Sequence, residues 1–158
     1  MTTAGIGWDS HRLAADRKLI LGGVTIPHER GLHGHSDADV LTHAVIDALL
    51  GAAALGDIGQ HFPDSDERYR DADSMQLLRT VVVMLAERGL VVAHVDTTVV
   101  MERPKLAPHR DAIRAALADA LGVTPEQVNV KASTGEGMGF VGRGEGVAAL
   151  AVATVRTA

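Results

Sequence analysis

The stretch that most narrows what this chain can fold into is Ala38 to Leu55, apolar almost all round and carrying titratable residues only at Asp39, His43 and Asp47. These recur every four residues, so a helix lines them along one face. A helix apolar on its other faces is buried. Ionisable groups on it must then be paired, hydrogen-bonded or bound to a metal, because desolvating them unaided is costly. The rest of the chain has to supply whatever faces that stripe.

The chain can meet this demand as one domain spanning residues 1–158, long enough to bury a real core. A hydrophobic content of 46% with ordinary charge density belongs to a compact fold. The net charge of −5 and the scattered cations argue against a nucleic-acid partner. No cysteine is present, so a transition-metal site has to use histidine and carboxylate, and a cytoplasmic setting is expected. No uncharged apolar run reaches the length of a membrane span, so no membrane partner is expected.

Local signals place the elements. Ile6 to His11 reads as a strand whose alternation puts Asp9 and His11 on one side. Lys18 to Leu21 and Val24 to Ile26 flank Gly22-Gly23, a two-residue hairpin signal. His28 to Asp37 reads as a loop, with Ser36 or Asp37 capping the central helix and its N-terminus open to an anion. Gly56, Gly59 and Pro63 enforce a loop bearing Asp57, His61, Asp64 and Asp66. A second helix runs from Asp73 to about Arg88 and stops at Gly89. A strand follows over Leu90 to Met101, then a helix from Pro108 to Leu121 and a capped turn over Thr124 to Gln127. Strands at Val128 to Ser133 and Val147 to Val155 enclose the loop TGEGMGFVGRGEG. This order predicts an α/β, or two-layer α+β, fold: a mixed β-sheet with three main helices on one face. The strands at 90–101 and 147–155 read as apolar on both faces, so the uncovered face is expected to pack in a homo-oligomer, with a cyclic trimer as one solution.

Asp9, His11 and His43 form a two-histidine, one-carboxylate set with a position left open, the pattern of a catalytic zinc site. On spacing alone, hydrogen-bonded core histidines explain the same residues equally well. Asp47, one turn beyond His43, is expected to orient a ligand imidazole from outside the coordination sphere. Glu136 and Arg143 in the glycine-rich loop offer a magnesium ligand and a cation, and the loop's backbone can wrap a phosphate; a plain structural turn is the other reading. These parts suit a polyphosphate. A metal-dependent phosphohydrolase and a non-catalytic trimeric nucleotide or isoprenoid-phosphate binding protein both remain open to such residues.

Gly7-Trp8-Asp9-Ser10-His11, His35-Ser36-Asp37-Ala38-Asp39, His43, DALLGAAALGDIGQHFPDSD, Arg103-Pro104-Lys105-Leu106-Ala107-Pro108-His109 and VNVKASTGEGMGFVGRGEG together resemble the 2-C-methyl-D-erythritol 2,4-cyclodiphosphate synthase family. The resemblance implies a homotrimeric, cyclising phosphorus–oxygen lyase of the non-mevalonate isoprenoid route, with active sites between subunits. It would turn 4-diphosphocytidyl-2-C-methyl-D-erythritol 2-phosphate into the cyclic diphosphate and CMP. By the same resemblance Asp9, His11 and His43 hold Zn2+, Glu136 helps hold Mg2+ or Mn2+, and His35 and Thr134 stabilise the transition state. Substrate contacts fall to Asp9, Ser10, His11, His35, Ser36, Asp57, Ile58, Gly59, Phe62, Pro63, Asp64, Ser65, Asp66, Phe140 and Arg143. The cytidine pocket is implied at Met101, Glu102, Arg103, Pro104, Lys105, Leu106 and Ala107, with Ser133, Thr134, Gly135 and Glu136.

Overall fold

A computed structural model describes residues 1–158. Five strands form one mixed sheet in the order β4-β1-β7-β5-β6, where β1 is Thr2–Ala14, β4 Gly31–His33, β5 Leu90–Val100, β6 Val128–Ser133 and β7 Gly146–Thr157. Only β5 and β6 run parallel; the other pairs are antiparallel. β1 and β7 pair along almost their whole length, from Thr2 opposite Arg156 to Arg12 opposite Gly146. Strands β2 (Leu19–Leu21) and β3 (Val24–Ile26) make a separate hairpin. Its turn residues Gly22 and Gly23 have φ of 58° and 77°, the left-handed pair that a two-residue hairpin requires.

The central helix α1 (Val40–Ala52) lies on the sheet with nearly every side chain buried, as its all-round apolarity dictates. It sits directly on β1 because Gly5 and Gly7 have no side chains: a Cβ on Gly7 would fall 1.9 Å from the Ala44 carbonyl oxygen. Helices α3 (Ser74–Ala86) and α4 (Arg110–Leu121) complete the layer, capped by Asp73 and ended by left-handed Gly122 respectively. One hydrophobic core joins this layer to the inner face of the sheet.

Several expectations are corrected. The cap of α1 is Asp39, not Ser36 or Asp37: its carboxylate accepts hydrogen bonds from Thr42 N–H and Oγ1, and from the N–H groups of Gly22 and Gly23. The donors of the hairpin turn decide among three cap-competent residues. The helix N-terminus is therefore filled by the chain's own carboxylate and is not open to an anion. Two presumed loops contain short helices, α2 (Ile58–His61) and α5 (Gly139–Gly142), and β4 lies within a third. On the outer face β5 presents His94, Asp96 and Thr98, so only part of that face is apolar. The apolar part is carried by Ile6 and Trp8 on β1 and Val152 on β7, with Ile6 71% and Trp8 54% exposed.

Candidate metal centre

Strand alternation turns Asp9 and His11 toward the helical layer, and α1 brings His43 down onto them. Asp9 Oδ2 lies 2.9 Å from His11 Nε2 and 3.0 Å from His43 Nδ1, and the two ring nitrogens are 3.3 Å apart. Ligand atoms about 2.0–2.1 Å from a tetrahedral zinc ion stand roughly 3.3 Å from one another. The three side chains therefore fit one metal ion, with a tetrahedral position to spare.

The far nitrogens of both rings are fixed on oxygen. His11 Nδ1 is 3.0 Å from the His33 carbonyl oxygen, and His43 Nε2 is 2.8 Å from Ser74 Oγ and 3.2 Å from Ser36 Oγ. These contacts leave His11 Nε2 and His43 Nδ1 as the inward-facing atoms. Burial alone would raise the Asp9 carboxyl, but hydrogen bonds and charge from His11 and His43 outweigh it and lower its pKa to about 2. Burial likewise disfavours a charged His11, yet the hydrogen bond and charge of Asp9 raise its pKa. Asp9 is thus held as a carboxylate and favours the charged form of His11 beside it.

The triad sits in a cavity of about 380 Å3 that is also lined by His35, Ser36, Ile58, Gly59, Phe62, Pro63 and Asp64. His35 Nε2 donates to the Asp66 carbonyl oxygen at 3.0 Å, which fixes the ring. Asp57 and Asp66 cap short helical turns with their side chains, and Ser65 is exposed beside them. Phe62 packs edge-on against Tyr69, a cavity residue that local sequence patterns did not reveal, with ring centroids 5.4 Å apart.

The remaining predicted positions lie elsewhere on the chain. Ser10 and Phe140 line a neighbouring hollow with His11. Glu102, Arg103 and Arg143 line a different cavity, where Glu102 Oε1 accepts from Gly135 N–H at 2.5 Å. Pro104, Lys105 and Ala107 continue this connection, while Met101 and Leu106 are buried in the core. Ser133, Thr134 and Glu136 are exposed, and Glu136 N–H donates to Thr134 Oγ1 at 3.1 Å. Within one chain, then, Thr134 and Glu136 are not among the groups lining the triad's cavity.

Asp47 does not orient an imidazole as expected. Its Oδ1 accepts the Ile58 N–H at 2.8 Å, because the first turn of α2 leaves that donor without an intrahelical partner. The oxygens behind His43 come instead from Ser36 and Ser74. Arg17 is a second residue missed from the sequence: its guanidinium donates to the carbonyl oxygens of Leu32, Gly34 and Ser36, bracing the loop that carries His35. Neither Ser74 nor Arg17 carries a spacing signal, since their partners lie far away in the chain.

The YgbB family model matches residues 2–156. The chain belongs to the YgbB family. A 2-C-methyl-D-erythritol 2,4-cyclodiphosphate synthase of Alkaliphilus metalliredigens is 59% identical over 151 residues, covering 96% of this chain and 95% of the relative. The synthase of that name from Salinibacter ruber is 60% identical over 154 residues, covering 98% of each. Among solved structures, a 2C-methyl-D-erythritol-2,4-cyclodiphosphate synthase in a CDP-bound form superposes with a TM-score of 0.89 at 37% identity, covering 97% of this chain and 99% of that one. Membership of the YgbB family agrees with the resemblance carried by the sequence motifs and with the mixed α/β architecture.

Proposed function

We infer that this chain catalyses the metal-dependent cyclisation of 4-diphosphocytidyl-2-C-methyl-D-erythritol 2-phosphate to 2-C-methyl-D-erythritol 2,4-cyclodiphosphate, with release of CMP. The observation that carries this reading is identity near 60% over almost the full length of synthases bearing that name. The convergent triad supports it as the chemical centre such a reaction needs.

In the reaction an oxygen of the 2-phosphate attacks the β-phosphorus, and the bond from that phosphorus to the oxygen bridging it to the α-phosphate breaks, so CMP leaves. Both reacting groups belong to one molecule, so the protein's main tasks are to hold an in-line pose and to counter charge. Asp9, His11 and His43 would hold Zn2+ and Glu136 would help hold Mg2+ or Mn2+, cations that polarise the diphosphate and offset the charge developing on it. His35, held by the Asp66 carbonyl, faces the cavity and stabilises the transferring phosphoryl group together with Thr134. Ile58, Gly59, Phe62, Pro63 and Asp64 of the cavity wall face the methylerythritol portion and hold it beside the triad.

The cytidine portion occupies Met101 to Ala107 and Ser133 to Glu136. Glu102 and Arg103 line a cavity separate from that of the triad, which supports the reading that a neighbouring subunit completes each site in a homotrimer. The apolar outer patch of Ile6, Trp8 and Val152 supports that assembly.

Phosphorus NMR of the protein with this substrate tests the reaction, once with zinc and magnesium and once with chelator. Cyclic diphosphate and equimolar CMP should form only with metal. Linear phosphates would favour a hydrolase, and bound but unchanged substrate a non-catalytic binding protein.

A further inference from the structure

We propose that Ser74 and Asp37 are positioning residues that fix which nitrogen of His43 faces the metal; this rests on the metal-centre reading above. Ser74 opens α3 and is completely buried, with its Oγ 2.8 Å from His43 Nε2. The same hydroxyl donates a short hydrogen bond to Asp37 Oδ1, and Ser74 N–H donates to Asp37 Oδ2 at 3.0 Å.

The direction of this chain follows from what each group can do. A carboxylate only accepts, so the Ser74 proton points at Asp37. The Ser74 oxygen then has only lone pairs to offer His43, so Nε2 carries a proton and donates. When a metal ion takes the place of the proton shared with Asp9, the Nδ1 lone pair faces the point on which the three ligand atoms converge. Asp37 in effect holds the ligand tautomer through a serine.

The support is itself anchored. Asp37 N–H donates to the Ala72 carbonyl oxygen at 3.0 Å, and Asp71 N–H donates to that of His35 at 2.8 Å. The segment before α3 and the segment before α1 are thereby tied together beside the site. No buried side-chain nitrogen or oxygen is left without a partner, so removing the Ser74 hydroxyl strips His43 of its nearer acceptor where solvent does not reach Ser74. Ser36 Oγ, at 3.2 Å and already accepting from Ala38 N–H, is the weaker substitute.

The test is zinc affinity, measured by competition with a chromophoric chelator on the full chain, beside thermal unfolding of the metal-free protein. Ser74→Ala should weaken zinc binding about 10- to 100-fold, as loss of an outer-sphere partner does elsewhere. A residue serving the fold alone would lower the metal-free melting temperature and leave the zinc dissociation constant of the folded protein within twofold of wild type. That result would overturn the proposal while leaving the metal centre standing. A wild-type chain that binds no zinc would instead overturn the metal-centre reading, and this proposal with it. If Ser74→Ala does not fold, Asp37→Ala replaces it: with no acceptor at residue 37 the Ser74 proton is free to turn toward His43 Nε2, so zinc binding should again weaken, and unchanged affinity again overturns the proposal.

Discussion

Replacing Asp39 separates two jobs that its carboxylate performs at once. Oδ1 accepts from Gly22 N–H at 2.9 Å and Thr42 N–H at 3.0 Å, while Oδ2 accepts from Gly23 N–H and Thr42 Oγ1, both at 2.8 Å. Asp39→Ala strands the first pair of donors in the interior, since Gly22 and Thr42 are buried. Gly23 is exposed and can turn to water, and Thr42 Oγ1 keeps the Met75 sulfur at 3.4 Å. Two stranded donors at roughly 1–3 kcal/mol each, with the lost helix cap already counted among them, give a destabilisation of about 2–6 kcal/mol.

Asp39→Asn keeps Oδ1 and replaces only the oxygen whose donors have alternatives. Burial also raises the Asp39 carboxyl above its ordinary pKa, so a neutral amide relieves some of the desolvation. Its cost should be about 1 kcal/mol, less than that of Asp39→Ala. Urea unfolding of the metal-free protein at one fixed concentration measures this, because assembly would otherwise shift the midpoint. Equal losses for Asn and Ala, or a loss below about 1 kcal/mol for Ala, would refute the division of labour between the two oxygens.

Three further outcomes are expected. His43→Ala should lose bound zinc by metal analysis and lose turnover, while sedimentation shows the assembly of wild type; dissociation on metal removal would count against a metal site separate from the subunit contacts. Trp8→Glu should break the assembly, because a charge replaces an exposed apolar anchor of the outer patch, and an unchanged sedimenting mass would argue that the contact lies elsewhere. In the metal-free protein the depressed Asp9 pKa contributes about 2 kcal/mol at neutral pH, present above the ordinary carboxyl value of 3.8 and lost as pH falls toward about 2. The raised His11 pKa contributes stability below 6.5 that is lost as pH rises through its folded value, so the pair serves best between pH 3.8 and 6.5. Urea midpoints across pH should show a shoulder there that Asp9→Asn abolishes; an identical profile would refute it.

The metal triad was legible because its parts obey local periodicity: alternation put Asp9 and His11 on one side, and an all-apolar helix made His43 conspicuous. The groups around it were not legible, for different reasons. Ser36, Asp37 and Asp39 are all able to cap α1, and donors from the hairpin turn, distant in the chain, chose Asp39. The orienting role expected of Asp47 fails because α2 reads as loop in the sequence, which hides the Ile58 donor that claims its carboxylate. Ser74 follows an ordinary helix cap and gains its role only when α3 docks beside α1. What periodicity cannot encode is which of several suitable donors or acceptors the folded chain brings within reach.

The pairing of β1 with β7 also bears on the order in which the protein comes together. Two of the three triad residues ride on β1, yet most of that strand is bonded to the strand furthest from it in the sequence, and only three of its residues pair with β4. Closing so long a loop comes late, because its entropy cost precedes any return from contacts. β1 gains its full set of backbone partners only when β7, the last strand of the chain, is laid against it, so the geometry that brings Asp9 and His11 beside His43 is completed at the end of folding rather than during synthesis.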